Sequence, residues 1–269
     1  MGKFFAVILV LVAVLSAYPI IANYFPLPVD ISTHGHLIDS QLHDTMLEAG
    51  VAFIGAQLML AYFLFAFTGR KPDAPLKNFP GGAKAMVIAA FLIVGTEVLA
   101  LGAFGQKAWA TVYFVPPKAD ALQIQAQAEQ FAFYFRYPGP DGKYGATNAT
   151  LMDPSAGGEA AVGLDTSDPA AKDDVVTGTM FLPVNREVDL SIRSVDVIHS
   201  FFVPSLRFKQ DAVPGLNIHM HFTPNQIGDY EIACAELCGL GHYKMHGMVK
   251  VVSQEDFDKW LAAREAEKQ

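Results

Sequence analysis

Hydrophobic positions fall into two regimes along this chain: long unbroken apolar runs before residue 107, and short alternating segments after it. The runs cover 4–22, 51–68 and 85–105. Each is close to the ~20 apolar residues a helix needs to cross a hydrocarbon core about 30 Å thick. Three membrane-spanning helices are therefore predicted, over about 4–23, 48–69 and 84–106. Residues 1–106 read as a membrane anchor, and 107–269 as a separate domain long enough to bury its own core. The first run follows Lys3 in the manner of a signal peptide. The small-residue pattern that cleavage needs is poor at Leu15-Ser16-Ala17, so the run reads as a retained helix.

Beyond the third run, Leu122-Gln-Ile-Gln-Ala-Gln-Ala alternates and leads into the aromatic stretch Phe131–Tyr137, which predicts a pair of strands. Residues 138–176 are dominated by Gly, Pro, Ala, Asp and Ser, and read as turns in an exposed insertion. Short β segments resume at 179–184, 187–193, 197–203, 216–222, 229–233 and 247–252, broken by Asn185, Pro204, Pro214-Gly215 and Pro224-Asn225. Many short strands at such spacing predict a sandwich or barrel. Ser253-Gln-Glu-Asp256 resembles a capping box opening a last helix, with Phe257, Trp260 and Leu261 on one face.

Composition agrees with a membrane protein: 52% of residues are hydrophobic and 17% charged. The net charge of −8 argues against nucleic acid and suits a basic protein partner. Arg70, Lys71 and Lys77 crowd the second loop, whereas the first loop, 23–50, holds no Lys or Arg. By the positive-inside rule the N-terminus and the 69–84 loop are predicted to be cytoplasmic, and 107–269 external. Two cysteines do not make a disulfide framework.

Those cysteines carry the candidate chemistry. Cys234-Ala-Glu-Leu-Cys238-Gly-Leu-Gly-His242-Tyr-Lys-Met245 places two thiols, an imidazole and a thioether in one loop. Soft sulfur ligands select copper or zinc, and Met shifts the balance towards copper. His199, on an earlier predicted strand, could close the site from the other side. Taken singly, the cysteines are also compatible with a disulfide or a zinc site, His199 with a core histidine and Met245 with core filling. Their joint occurrence favours copper, and because a mononuclear blue-copper site needs one thiolate, the second points to a second ion. His34, His36, Asp39, His43 and Asp44 in the first loop read as interface or capping residues rather than a metal cluster. His219 and His221 alternate on a strand and read as surface or interface residues, and His246 as a non-ligand.

The segments DVIHSFFVPSLRFKQDAVPG and CAELCGLGHYKMHG resemble subunit II of the haem-copper cytochrome c oxidases. The resemblance is dense from about residue 179 to the closing helix and looser through the spans. It implies an all-β, cupredoxin-like Greek-key domain behind N-terminal transmembrane helices, carrying a dinuclear copper centre, CuA. Cys234 and Cys238 would bridge the coppers, with His199 and His242 as terminal ligands, Met245 on one ion and the Glu236 carbonyl on the other. The Glu236 side chain resembles a ligand to a magnesium ion shared with subunit I. The implied role is electron transfer from a c-type cytochrome to haem in subunit I, where oxygen is reduced and protons are pumped. Implied partners are subunit I, other oxidase subunits and the lipid of a bacterial plasma membrane. No Cys-x-x-Cys-His occurs, so the cytochrome would be a separate protein. A nitric oxide reductase CuA subunit and a membrane-tethered copper carrier are the alternatives.

Departures from the family pattern accompany the likeness. Gln130-Phe131-Ala132-Phe133 stands where the family often has tryptophan, which makes Phe131 and Phe133 the candidates for receiving electrons. The acid expected near the start of the last span is absent around Lys84-Ala85-Met86, while Glu97 lies well inside that span. The first helix is additional to the usual two spans.

Overall fold

The structure, a computed structural model, describes residues 1–22, 26–70 and 82–268. Lys71 and Lys77, used above for orientation, lie outside the described residues.

One compact unit is helical. Helix α1 (Gly2–Ile21), α2 (Gly35–Phe67) and α3 (Gly82–Tyr113) form over the three apolar runs. By length and composition, Gly2–Pro19 and Gly35–Phe67 are fit to cross a membrane. Helix α2 begins well before its apolar run: 33 residues at 1.5 Å each give about 50 Å, more than a bilayer core requires. Within this unit α1 runs antiparallel to α2, since Gly2 abuts Thr68 and Lys3 lies 5.2 Å above the Phe65 ring. Ala6, Ala13 and Ala61 are buried, the small residues that let helices approach closely in lipid. Phe91, Leu99 and Tyr62 are among many large side chains exposed on the helices, as apolar surroundings permit.

The other unit contains Pro28–His36 and Ala110–Gln269. Ten strands form two five-stranded sheets: β1 (Leu122–Glu129), β2 (Ala132–Tyr137), β3 (Val175–Thr177), β4 (Thr179–Pro183), β5 (Val188–Ser194), β6 (His199–Val203), β7 (Phe208–Ala212), β8 (Ile218–Phe222), β9 (Gly228–Cys234) and β10 (His246–Val252). Their orders are β3-β2-β1-β5-β8 and β4-β10-β9-β6-β7. Pairs β1–β5 and β4–β10 are parallel and the rest antiparallel, a sandwich whose chain crosses between sheets as expected for the predicted Greek-key class. Inward aromatics fill it: Phe201 meets Phe133, Phe135 and Phe208 edge-on at 5.9–6.1 Å. Helix α5 (Gln254–Ala266) is capped by Ser253, whose Oγ accepts from Asp256 N at 3.1 Å and donates to the Asp256 carboxylate at 2.7 Å. It buries Phe257 and stacks Trp260 on Phe181 at 4.2 Å, the face the sequence predicted.

Two readings need correction. Residues 138–176 are not an exposed run of turns. They contain a helical turn α4 (Gly158–Ala161), two 3-10 turns and β3, and they bury Val162, Leu164 and Ala171 against Tyr134 and Val176. A buried ion pair pins the segment: Asp174 accepts from Arg136 Nε at 3.0 Å and from Gly145 N at 2.9 Å, while the guanidinium lies 5.1 Å from the Tyr144 ring. The second correction is that the β domain extends into the first loop. Ile31 is fully buried, its N–H donating to Ser205 and its carbonyl accepting from Asn225, and Thr33 N donates to Thr223.

Candidate metal centre

Three elements converge on the site. Strand β9 ends at Cys234, β6 begins at His199, and the loop 235–245 returns through a 3-10 turn, His242–Lys244, to β10. The ladder places Phe201 opposite Cys234, which brings the start of β6 beside the thiol. The Gly-rich stretch between Cys238 and His242 is required by space: a Cβ on Gly241 would lie 2.4 Å from the Phe131 ring, and Gly239 has φ +136°.

Among the described residues, the single group of three potential metal ligands is His199, Cys234 and Cys238, with donor atoms all within 4.8 Å. The two Sγ atoms are 3.8 Å apart and both thiols are free, so the pair is not a disulfide. Cys238 Sγ lies 3.6 Å from His242 Nδ1 and 3.8 Å from Met245 Sδ. His199 Nδ1 lies 3.1 Å from Met245 Sδ and 4.0 Å from Cys234 Sγ. The Glu236 carbonyl oxygen is 3.2 Å from Cys234 Sγ, while its side chain is exposed. His199, Cys234, Cys238 and Met245 are buried and His242 half-buried.

This donor set fits a soft cation. His199 Nε2–H donates to Asp196 Oδ1 at 2.8 Å, which leaves the Nδ1 lone pair aimed at the sulfurs. Burial, and then the neighbouring Cys234, push the Cys238 thiol up to about 11. Two thiolates side by side are thus strongly disfavoured until a positive ion compensates them. A buried set of sulfur and imidazole ligands suits copper.

Sequence reasoning missed the residues that hold this set. Asp196 accepts from His199, from Gln130 N at 2.7 Å and from Val197 N at 2.7 Å. The Gln130 side chain donates to the Cys238 carbonyl at 2.5 Å, tying the β1–β2 turn to the loop. An acid three residues before the strand histidine was the available signal. The pair proposed to receive electrons divides: Phe131 is exposed and lies on Gly239 and Gly241, whereas Phe133 is buried in the core. Phe133 is therefore withdrawn as a surface contact. His246 Nδ1 is bonded to the Lys244 carbonyl, outside the cluster, and His219 and His221 pair with Asp189 and Glu187.

Comparisons with known proteins place the sequence in a family. The profile of the family described as "Cytochrome C oxidase subunit II, periplasmic domain" matches residues 162–252. The chain is 35% identical over 235 residues to the alternative cytochrome c oxidase subunit 2 of Bradyrhizobium diazoefficiens, covering 86% of this chain and 81% of that protein. It is 26% identical over 250 residues to cytochrome c oxidase subunit 2 of Cereibacter sphaeroides, covering 89% and 78%. The crystal structure of the periplasmic domain of subunit II of cytochrome oxidase of Bradyrhizobium japonicum aligns with 58% of this chain and 100% of that one, at 26% identity and a TM-score of 0.42. The relationship to the Bradyrhizobium diazoefficiens protein spans more than four-fifths of both sequences, and the chain belongs to the cytochrome c oxidase subunit 2 family.

Proposed function

We propose that this chain is the electron-accepting subunit of its oxidase, taking electrons from a separate c-type cytochrome at a dinuclear CuA centre for delivery to haem in subunit I. The observation that carries the reading is the convergence of two free thiols, two imidazoles, a thioether and a backbone carbonyl within one pocket. Copper held there would supply one-electron chemistry shared between two ions. Cys234 and Cys238 would supply thiolates, His199 and His242 imidazoles, Met245 its thioether and Glu236 its backbone carbonyl to hold the copper.

The protein's own residues do the positioning. Asp196 fixes the tautomer and rotation of His199, and Gln130 ties down the Cys238 backbone. Phe131 lies on Gly239 and Gly241 of the loop, and it and the loop's own Leu237, Leu240 and Tyr243 are exposed apolar side chains that a donor could meet. The exposed Glu236 carboxylate would reach a magnesium ion shared with subunit I. Helices α1, α2 and α3 are read as three spans in a bacterial plasma membrane, with the N-terminus cytoplasmic and the β domain external.

The test uses the chain assembled with its haem-bearing subunit, mixed rapidly with a reduced basic c-type cytochrome. Donor oxidation per bound copper should slow several-fold for Phe131→Ala, and should slow with salt, because exposed charges are screened beyond about 10 Å at 0.1 M. Donor oxidation that survives Cys238→Ser at the parent rate would refute the role.

A further inference from the structure

Behind the metal centre lies a carboxyl group with no part in holding it. Glu129 ends β1 on the face that carries Gln125 and Gln127. It is 3% exposed, and its Oε2 is buried with no hydrogen-bond partner. Hydrogen bonds on either side of it fix its place. Val195 N donates to the Ala128 carbonyl at 3.2 Å, and Gln130 N donates to Asp196 Oδ2 at 2.7 Å. The backbone of Glu129 is therefore bracketed by the turn that carries Asp196, and Asp196 Oδ1 takes His199 Nε2 at 2.8 Å. Glu129, Asp196 and His199 thus form a series that ends at the thiol cluster.

The neighbouring groups leave this carboxyl without compensation. On the same face, Gln127 stands opposite Tyr134 of β2 and Arg193 of β5. The Arg193 Nη2 donates to Gln127 Oε1 at 2.9 Å, and Gln127 Nε2 donates to the Ala161 carbonyl of the insertion at 2.8 Å. The near charge is the Asp196 carboxylate, of the same sign. Burial first, and then Asp196, raise the Glu129 carboxyl above its ordinary 4.5, against a smaller opposing effect of Gln127, and its charge in turn raises the Tyr134 hydroxyl. A buried acid placed so favours its neutral form, and an orphaned oxygen is the cost. Gln130, the next residue, is exposed, so water is one residue away.

We propose, on the electron-accepting reading of the centre, that Glu129 is its redox-linked proton site, a positioning residue that acts through Asp196 on His199. When one electron enters the centre, one proton from water joins a Glu129 carboxylate oxygen. When the electron leaves, that O–H bond breaks and the proton returns to water. The physical cause is poor screening inside the protein: positive charge lost at the metal no longer offsets a second carboxylate beside Asp196.

The experiment measures the reduction potential of copper-loaded full-length protein in detergent across the pH range in which the copper is kept. The parent's potential should fall as pH rises through one window and level off on either side, because the reduced state binds the extra proton. Glu129→Gln, which mimics the neutral acid, should hold the parent's acid-limit potential at every pH with the copper spectrum unchanged. Glu231→Gln, which alters an exposed acid on β9, should keep the parent's slope. Infrared difference spectra of the parent should show a carboxylic acid band gained on reduction, a readout that needs no variant to fold. A parent potential independent of pH, or a slope that Glu129→Gln keeps, would overturn the proposal and leave Glu129 a structural group, with the electron-accepting reading intact. A chain that binds no redox-active copper would overturn both.

Discussion

Two irregular, glycine-rich segments of the β domain are held in place by opposite means. The insertion 138–176 is held by paired groups: Asp174 Oδ2 takes the Arg136 guanidinium of β2 and the Gly145 amide, though its Oδ1 is buried without a partner, Asp153, Asp165 and Asp168 close local turns, and Val162 and Leu164 make a small core. The loop 235–245 does the reverse. Its donors Cys238, His242 and Met245 face His199 and Cys234 across 3.1–4.0 Å with little but each other to bond, and its order comes from outside, through Asp196, Gln130 and Phe131. A segment whose buried polar groups are paired is structural. One whose buried donors converge unpaired is built for a guest.

Each side of that contrast can be broken. Arg136→Ala would leave the Asp174 carboxylate buried without its cation, at a cost of about 3–5 kcal/mol. Denaturation should show that loss, and amide exchange should place it in 138–176, with the copper spectrum unaltered. Asp196→Ala acts on the other side. It leaves the His199 Nε2–H unpartnered, costs about 1–3 kcal/mol of stability and should weaken copper retention against a chelator about 10–100-fold.

The pH dependence of the same contact has a definite sign. Burial opposes ionisation of Asp196, but the hydrogen bonds from His199, Val197 and Gln130 outweigh it and hold the carboxyl below its ordinary 3.8. A depressed folded-state pKa means that the contribution is fully present above pH 3.8 and is lost as pH falls through the lower folded value. Acid titration of the parent should show this limb, and Asp196→Ala should lack it. The smallest effect belongs to Met245→Leu, a swap of similar volume that costs less than about 1.5 kcal/mol. It should keep copper and shift the reduction potential, as an altered weak ligand does.

Legibility in the sequence followed the same division. The ligand loop could be read because soft donors at fixed intervals have few other uses, and β4, β5, β6, β8, β9 and β10 could be read from period-two runs bounded by Pro, Gly and Asn. Strand β7, Phe208-Lys-Gln-Asp-Ala, was missed because its polar middle lacks that period, and β3 because three residues are too few to show one. The insertion was misread since turn-forming residues look alike whether exposed or folded, and nothing local announces that Arg136 and Asp174, 38 residues apart, will meet. The packing of Ile31 and Thr33 on the sandwich was hidden for the same reason: their partners lie far along the chain, at Ser205, Thr223 and Asn225.

The central claim is that the inward-facing donors of 234–245 and His199 hold two coppers as one electronic unit. The most direct measurement is metal analysis with electron paramagnetic resonance on the oxidised full-length protein. The account predicts two coppers per chain and a hyperfine pattern from one unpaired electron coupled equally to both nuclei, abolished in Cys238→Ser. One copper per chain with splitting from a single nucleus would contradict it, and would make the chain a mononuclear copper carrier.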